Sequence, residues 1–205
     1  VDAEAASRNA AFDATVERRA FGDGRVLARG MAYGEERENG TPVQDNDTRI
    51  GLAALGVDWG APERGRGEVR LWGETQVFHQ AFSAVAADRS SETLTRRQRV
   101  PADAFGLSAQ WSRLFGSRHR LLGGVEAQQV EGTTEETVFA RGVAASAVEA
   151  GGTARSGAVF VQDLFQAHPR FLLSASGRLD RWSHRDGRSV TTPLPTGSPA
   201  PIAFA

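Results

Sequence analysis

Apolar and polar residues alternate along most of the chain with a period of two. Over 68–81, Val69, Leu71, Gly73, Thr75 and Val77 carry no charge. Glu68, Arg70, Glu74, Gln76 and Gln80 share the opposite parity, with Trp72 and Phe78 among them. Side chains of a strand point alternately to its two faces, so this spacing predicts a strand with one uncharged and one polar face. The same pattern sets Phe12, Ala14 and Val16 against Asp13, Thr15, Glu17 and Arg19, and Leu121, Gly123, Val125 and Ala127 against Glu126 and Gln128. It sets Phe105, Leu107, Ala109 and Trp111 against Gly106, Ser108, Gln110 and Ser112. It also sets Phe171, Leu173, Ala175, Gly177 and Leu179 against Ser174, Ser176, Arg178 and Asp180. Eight strands are predicted, near 10–21, 25–35, 49–59, 68–81, 104–115, 120–131, 156–166 and 170–182. The second carries a small apolar face (Val26, Ala28, Gly30, Ala32, Gly34), the third is mostly apolar, and the seventh is apolar on both faces. Apolar residues rarely recur at three and four, and glycines run through the periodic segments, so helices are not expected.

The connections carry a second pattern. Short turns are predicted at 22–24, 61–66, 116–119 and 167–169, and long loops at 36–48, 82–103 and 132–155, in strict alternation. Soluble β domains keep most loops near about 4–6 residues. Outer-membrane barrels have short turns at one end and long loops at the other. Predicted strands of about 11–13 residues slightly exceed the ~9–11 that cross a bilayer with tilt. Phe21, Trp59, Phe115, Phe165 and Phe171 stand beside the short turns. Such rings form a girdle at a membrane interface, or pack the core of a sandwich. In hydrocarbon every backbone N–H and C=O must pair, so strands that cross it close into a barrel, whose polar face lines a wet or plugged lumen.

Composition narrows the choice. The chain of 205 residues has no cysteine, which excludes disulfides and cysteine metal sites. All 24 basic residues are arginine, yet the net charge is −1, which argues against a broad nucleic-acid-binding surface. No run of about 18 apolar residues exists, so no transmembrane helix is expected. A negative mean hydropathy remains compatible with barrel strands, which are only half apolar. The chain starts at Val1 without a leader pattern and runs out through a Pro-rich stretch from Thr192 to Ala205. Both ends read as cuts in a longer reading frame.

Candidate chemistry is sparse, and no catalytic residue, cofactor or metal site is expected. His79, His119, His168 and His184 lack metal-ligand spacing, and solvated roles are favoured for them. Asp45-Asn46-Asp47 resembles the start of a calcium loop without its glycine and distal glutamate. Ser83, His79 and Asp88 could be drawn as a hydrolase triad, against the simpler reading of a polar loop. Arg89, Arg96, Arg97 and Arg99, with Glu92, fall in the 82–103 loop. Guanidinium groups there could bind an acidic ligand or lipid phosphates, or form local salt bridges in a solvated loop, which is the favoured reading. Arg70, Glu74, Gln76, Gln110, Arg178 and Asp180 are the lumen-facing candidates.

Three stretches carry a family resemblance. The first is Asn39-Gly40-Thr41-Pro42-Val43-Gln44, following the strand that ends in Tyr33-Gly34-Glu35. The second is Phe78-His79-Gln80-Ala81-Phe82-Ser83-Ala84-Val85, followed by Arg89-Ser90-Ser91-Glu92-Thr93-Leu94 and Gln98-Arg99-Val100-Pro101. The third is Gly157-Ala158-Val159-Phe160-Val161-Gln162-Asp163, a turn at His168-Pro169, then Leu172-Leu173-Ser174-Ala175-Ser176-Gly177-Arg178-Leu179-Asp180. In order, these resemble the barrels of TonB-dependent receptors, with Leu179 where an aromatic residue is common.

The resemblance covers nearly the whole chain. It implies that residues 1–205 are part of a plugged barrel of about 22 strands. This is an all-β, antiparallel up-and-down meander forming a partial, open sheet. It also implies residence in the outer membrane of a Gram-negative bacterium, among its lipids. The implied activity is uptake of a ferric siderophore, cobalamin, oligosaccharide or similar scarce nutrient, energised by the TonB system through the plug, with the lumen-facing set turned to that plug. The ligand would be a small molecule such as a metal chelate or glycan. The plug, the TonB-binding segment, the last strands and the terminal aromatic residue have no counterpart in the 205 residues. Rival readings are a complete eight-stranded barrel with a structural or adhesive role, a soluble β-sandwich and an outer-membrane hydrolase.

Overall fold

The computed structural model describes residues 1–195. It contains eight strands: β1 (Ala6–Arg19), β2 (Arg25–Glu38), β3 (Asp45–Ala61), β4 (Gly65–Val85), β5 (Glu92–Phe115), β6 (His119–Ala140), β7 (Val143–His168) and β8 (Phe171–Pro193). They form one antiparallel sheet in the order β1-β2-β3-β4-β5-β6-β7-β8. Each strand pairs with its chain neighbours alone, so among the described residues β1 and β8 are open edges. An eight-stranded closed barrel is thereby excluded, and so is a sandwich, which needs a second sheet.

Strand register makes the two faces continuous. Val26, Val57, Val69, Ala109, Val125, Val159 and Leu179 lie side by side across seven strands, each the register partner of the next. Beside that row runs another: Val16, Ala28, Leu55, Leu71, Leu107, Ala127 and Gly157. Nothing covers this face: Leu55 is 60% exposed, Leu71 49% and Leu179 72%. Only three alanines, Ala81, Ala144 and Ala158, form the buried apolar set among the described residues. A water-soluble domain instead buries such a face between layers.

Polar residues occupy the other face, which is the more crowded. The Arg70 side chain is 28% exposed and that of Asp58 15%. We refer to the polar face as inner and the uncharged face as outer. Glycines make room on the inner face for cross-strand rings. A Cβ at Gly106 would come within 2.5 Å of the Trp72 ring, and one at Gly124 within 2.5 Å of Phe160. Each glycine is the register partner of the aromatic residue that fills its place.

The expected long loops are a correction. Most of 36–48, 82–103 and 132–155 is paired strand, and the tips shrink to 39–44, 86–91 and 141–142. At the last tip Arg141 (φ 52) and Gly142 (φ 77) both adopt the left-handed conformation that a two-residue hairpin turn needs. The strands run 14 to 26 residues, well beyond the predicted 11–13. Alternation fails in these extensions because both faces there can be wet, so no apolar parity marks the strand. Asymmetry between the ends persists in another form: tall hairpins rise beyond the uncharged band at one end, and turns at 20–24, 62–64, 116–118 and 169–170 close the other. Thr192 and Pro193 extend β8, and 196–205 of the expected Pro-rich stretch lie outside the described residues.

Candidate functional site

The inner face places all six lumen-facing candidates together. Arg70, Glu74 and Gln76 alternate along β4, Gln110 stands across from Glu68 on β5, and Arg178 and Asp180 stand on β8. Arg70 reaches Asp58 at 2.5 Å and Glu68 at 3.7 Å. Asp58 also takes Arg25 at 3.3 Å, and Arg25 reaches Glu17 at 3.4 Å. The Gln110 amide donates to Glu68, and a second group joins Arg178 to Glu126 (2.7 Å) and Asp180 (2.9 Å). A ladder of alternating charges thus crosses β1 to β4 and ends on the Gln110 amide of β5, and the second group links β6 to β8. Asp58, Glu68, Arg25, Glu17 and Glu126 had not been singled out as candidates. Their signal is parity: each shares a face with Arg70 or its register partners.

The four arginines assigned to the 82–103 loop do not converge there. Arg96, Arg97 and Arg99 belong to β5, and Arg89 alone sits in the tip. Arg96 lies over the Phe82 ring at 4.2 Å and pairs with Glu136 at 3.2 Å. Arg99 pairs with Glu135 at 3.1 Å on the other face, and Arg97 shares that face. Arg89 pairs with Asp2 across the hairpin tips.

Glu92 is the hub of those tips instead. Its carboxylate accepts from the Thr41 hydroxyl at 2.6 Å, from the Val43 N–H at 3.2 Å and from the Ser83 hydroxyl. Gln44 donates to Ser83 at 2.9 Å, so the β2–β3 tip is tied to the β4–β5 hairpin. Desolvation pushes the Glu92 pKa up, but the Ser83, Thr41 and Val43 hydrogen bonds outweigh it and hold the group below its ordinary value.

The three residues of the drawn triad are each engaged separately. His79 faces Asp47 at 3.0 Å, Ser83 serves Glu92, and Asp88 accepts from Ser90. His119 pairs with Asp163 at 2.7 Å and stacks on Phe165 at 4.5 Å, while His168 lies against Phe171 and His184 against Trp182. Of the Asp45-Asn46-Asp47 stretch, Asn46 bonds Asn39, and Asp47 takes His79. Among the described residues no three His, Asp or Glu side chains are placed to hold a metal ion.

Aromatic residues gather on the outer face beside the short turns. Trp111 meets Phe115 edge-on at 6.3 Å, and His119 and Phe165 continue that row. An uncovered apolar wall, rings at one rim and a charged inner ladder suit a partition between lipid and an aqueous or protein-filled lumen. A family model described as "TonB dependent receptor-like, beta-barrel" matches residues 4–200. Comparison with curated proteins and with solved structures gave no match.

Proposed function

The chain belongs to the TonB dependent receptor-like β-barrel family, and from that premise we propose that it forms part of the wall of an outer-membrane uptake receptor. Members of this family transport ligands across the outer membrane of Gram-negative bacteria. The observation that carries the reading is the uncovered aliphatic row from Val26 to Leu179, backed by a charged ladder on the opposite face. Only a lipid environment makes both faces favourable at once. Open edges at β1 and β8 would leave unpaired backbone groups in hydrocarbon, so further strands complete the cylinder. The inner ladder faces a plug, which couples to TonB and releases a scarce nutrient such as a ferric siderophore, cobalamin or an oligosaccharide. No residue of the wall acts as a catalyst.

Adjacent positions of β4 test the placement, because the chain has no native cysteine. Leu71→Cys and Arg70→Cys are introduced singly into the whole receptor in outer membranes. Leu71→Cys should react with a lipid-soluble maleimide and resist a charged one, and Arg70→Cys should do the reverse. Equal labelling of both by the charged reagent sinks the membrane reading. Uptake is tested separately, with the ferric chelate or other nutrient whose import is lost on deleting the gene. Equal import in cells with and without TonB rules out the energy coupling.

A further inference from the structure

Arg155, Arg181 and Arg185 stand together on the outer face, at the edge of the aliphatic band. Arg155 pairs in register with Ser183, so Arg181 and Arg185 are its two diagonal neighbours on β8. All three are exposed, and none forms an ion pair with an acid among the described residues. Among the described residues Arg155 makes one polar contact, to the side-chain oxygen of Gln129 at 2.7 Å. Three adjacent guanidinium groups repel one another, and more strongly beside hydrocarbon than in open water.

Arg155 and Arg181 border a shallow, open groove in the wall. Gly157, register partner of both Ala127 and Arg181, opens a groove of about 470 Å³ floored by Val125, Val159 and Leu179. Arg155 and Arg181 are the next outer-face positions beyond Gly157 and Leu179, on the side of the tall hairpins. On the same face Glu131 of β6 stands one outer position beyond Gln129, and it forms no ion pair with these arginines among the described residues. Cationic heads above an apolar trough match an amphiphile with an anionic head, and phosphate oxygens are the preferred partners of clustered arginine.

We propose that this groove binds a phosphorylated lipid of the outer leaflet, its phosphate held among Arg155, Arg181 and Arg185 and one acyl chain lying over Gly157. The assignment rests on the membrane reading above, since it needs the outer face to meet lipid. Free phosphate would use the arginines but not the groove.

The whole receptor, purified in detergent, is examined by native mass spectrometry with dioleoyl phosphatidic acid or dioleoyl phosphatidylcholine added. Phosphatidic acid should be retained selectively. Arg155→Gln, Arg181→Gln and Arg185→Gln should each weaken retention by about tenfold, the cost of one charged hydrogen-bonding partner. Gly157→Leu should abolish it: a Cβ there meets only the Glu126 carbonyl at 3.5 Å, so the wall accepts the side chain while the groove fills. Equal retention of the two lipids overturns the proposal and leaves the membrane reading standing. Competition by inorganic phosphate, with Gly157→Leu silent, overturns the groove. A protein that retains neither lipid overturns the proposal, while the labelling of Leu71→Cys and Arg70→Cys decides the membrane reading separately.

Discussion

Arg70 and Leu71 are consecutive residues of one strand, yet they have opposite surroundings. Leu71 lies in an aliphatic row and is 49% exposed with nothing packed on it. Arg70 lies in a ladder of acids and amides and reaches Asp58 at 2.5 Å. In a soluble protein the exposed face would be polar and the crowded face apolar. Here the order is inverted, the arrangement expected of a barrel wall whose outer face meets hydrocarbon and whose inner face meets water or a polar plug. A sheet one layer thick thus needs no packed core of its own.

The sharpest way to break this comparison is to exchange chemistry between the faces. Leu71→Arg should cost about 2–4 kcal/mol in bilayer folding titrations of the whole receptor, as expected for arginine deep in the lipid-facing band. Ser108→Arg, on the inner face beside Arg70, should cost far less. Equal costs for the two would remove the distinction between the faces. Next in size is the steric contrast between glycines. Gly106→Val drives a side chain into Trp72 and should cost about 1–3 kcal/mol, whereas Gly73→Val, whose Cβ meets only the Ala104 carbonyl at 3.8 Å, should stay near neutral. A smaller effect belongs to the ladder. Asp58→Asn weakens the pairs to Arg70 and Arg25 together and should cost about 1 kcal/mol, less in high salt. A salt-independent cost would point to packing instead.

The smallest effect concerns the rim. Glu92 has a folded pKa held below its ordinary value of 4.5, so its contribution is present above that value and is lost as pH falls through the lower folded pKa. Hydrogen exchange at the 39–44 tip should therefore accelerate in mildly acidic buffer relative to the inner ladder, beyond the intrinsic pH dependence of exchange. Glu92→Gln should remove that response. An unchanged response in the variant would exclude Glu92 as its source.

Within the band, the two faces were legible because parity is a local property. Leu71 and Arg70 are assigned by counting along a few residues, and the register carries that assignment across the sheet without altering it. Above the band the same counting fails. Arg96, Arg97 and Arg99 looked like a loop cluster, since no uncharged parity runs through them. The backbone nevertheless pairs, and it sends Arg96 to one face and Arg97 and Arg99 to the other. The ties of Glu92 to Thr41 and Val43 were likewise out of reach, because they join hairpins whose tips meet only after folding.

The amino-acid sequence by itself determined the class of fold, the number of strands, the short turns and which residues of each strand share the uncharged face. Those properties follow from a two-residue period and from turn chemistry. Tertiary structure alone decided the height of the hairpins, the partners within the charged ladder and the convergence of Arg155, Arg181 and Arg185. The reason is register: each strand is legible in isolation, but only pairing sets which residues of neighbouring strands stand side by side.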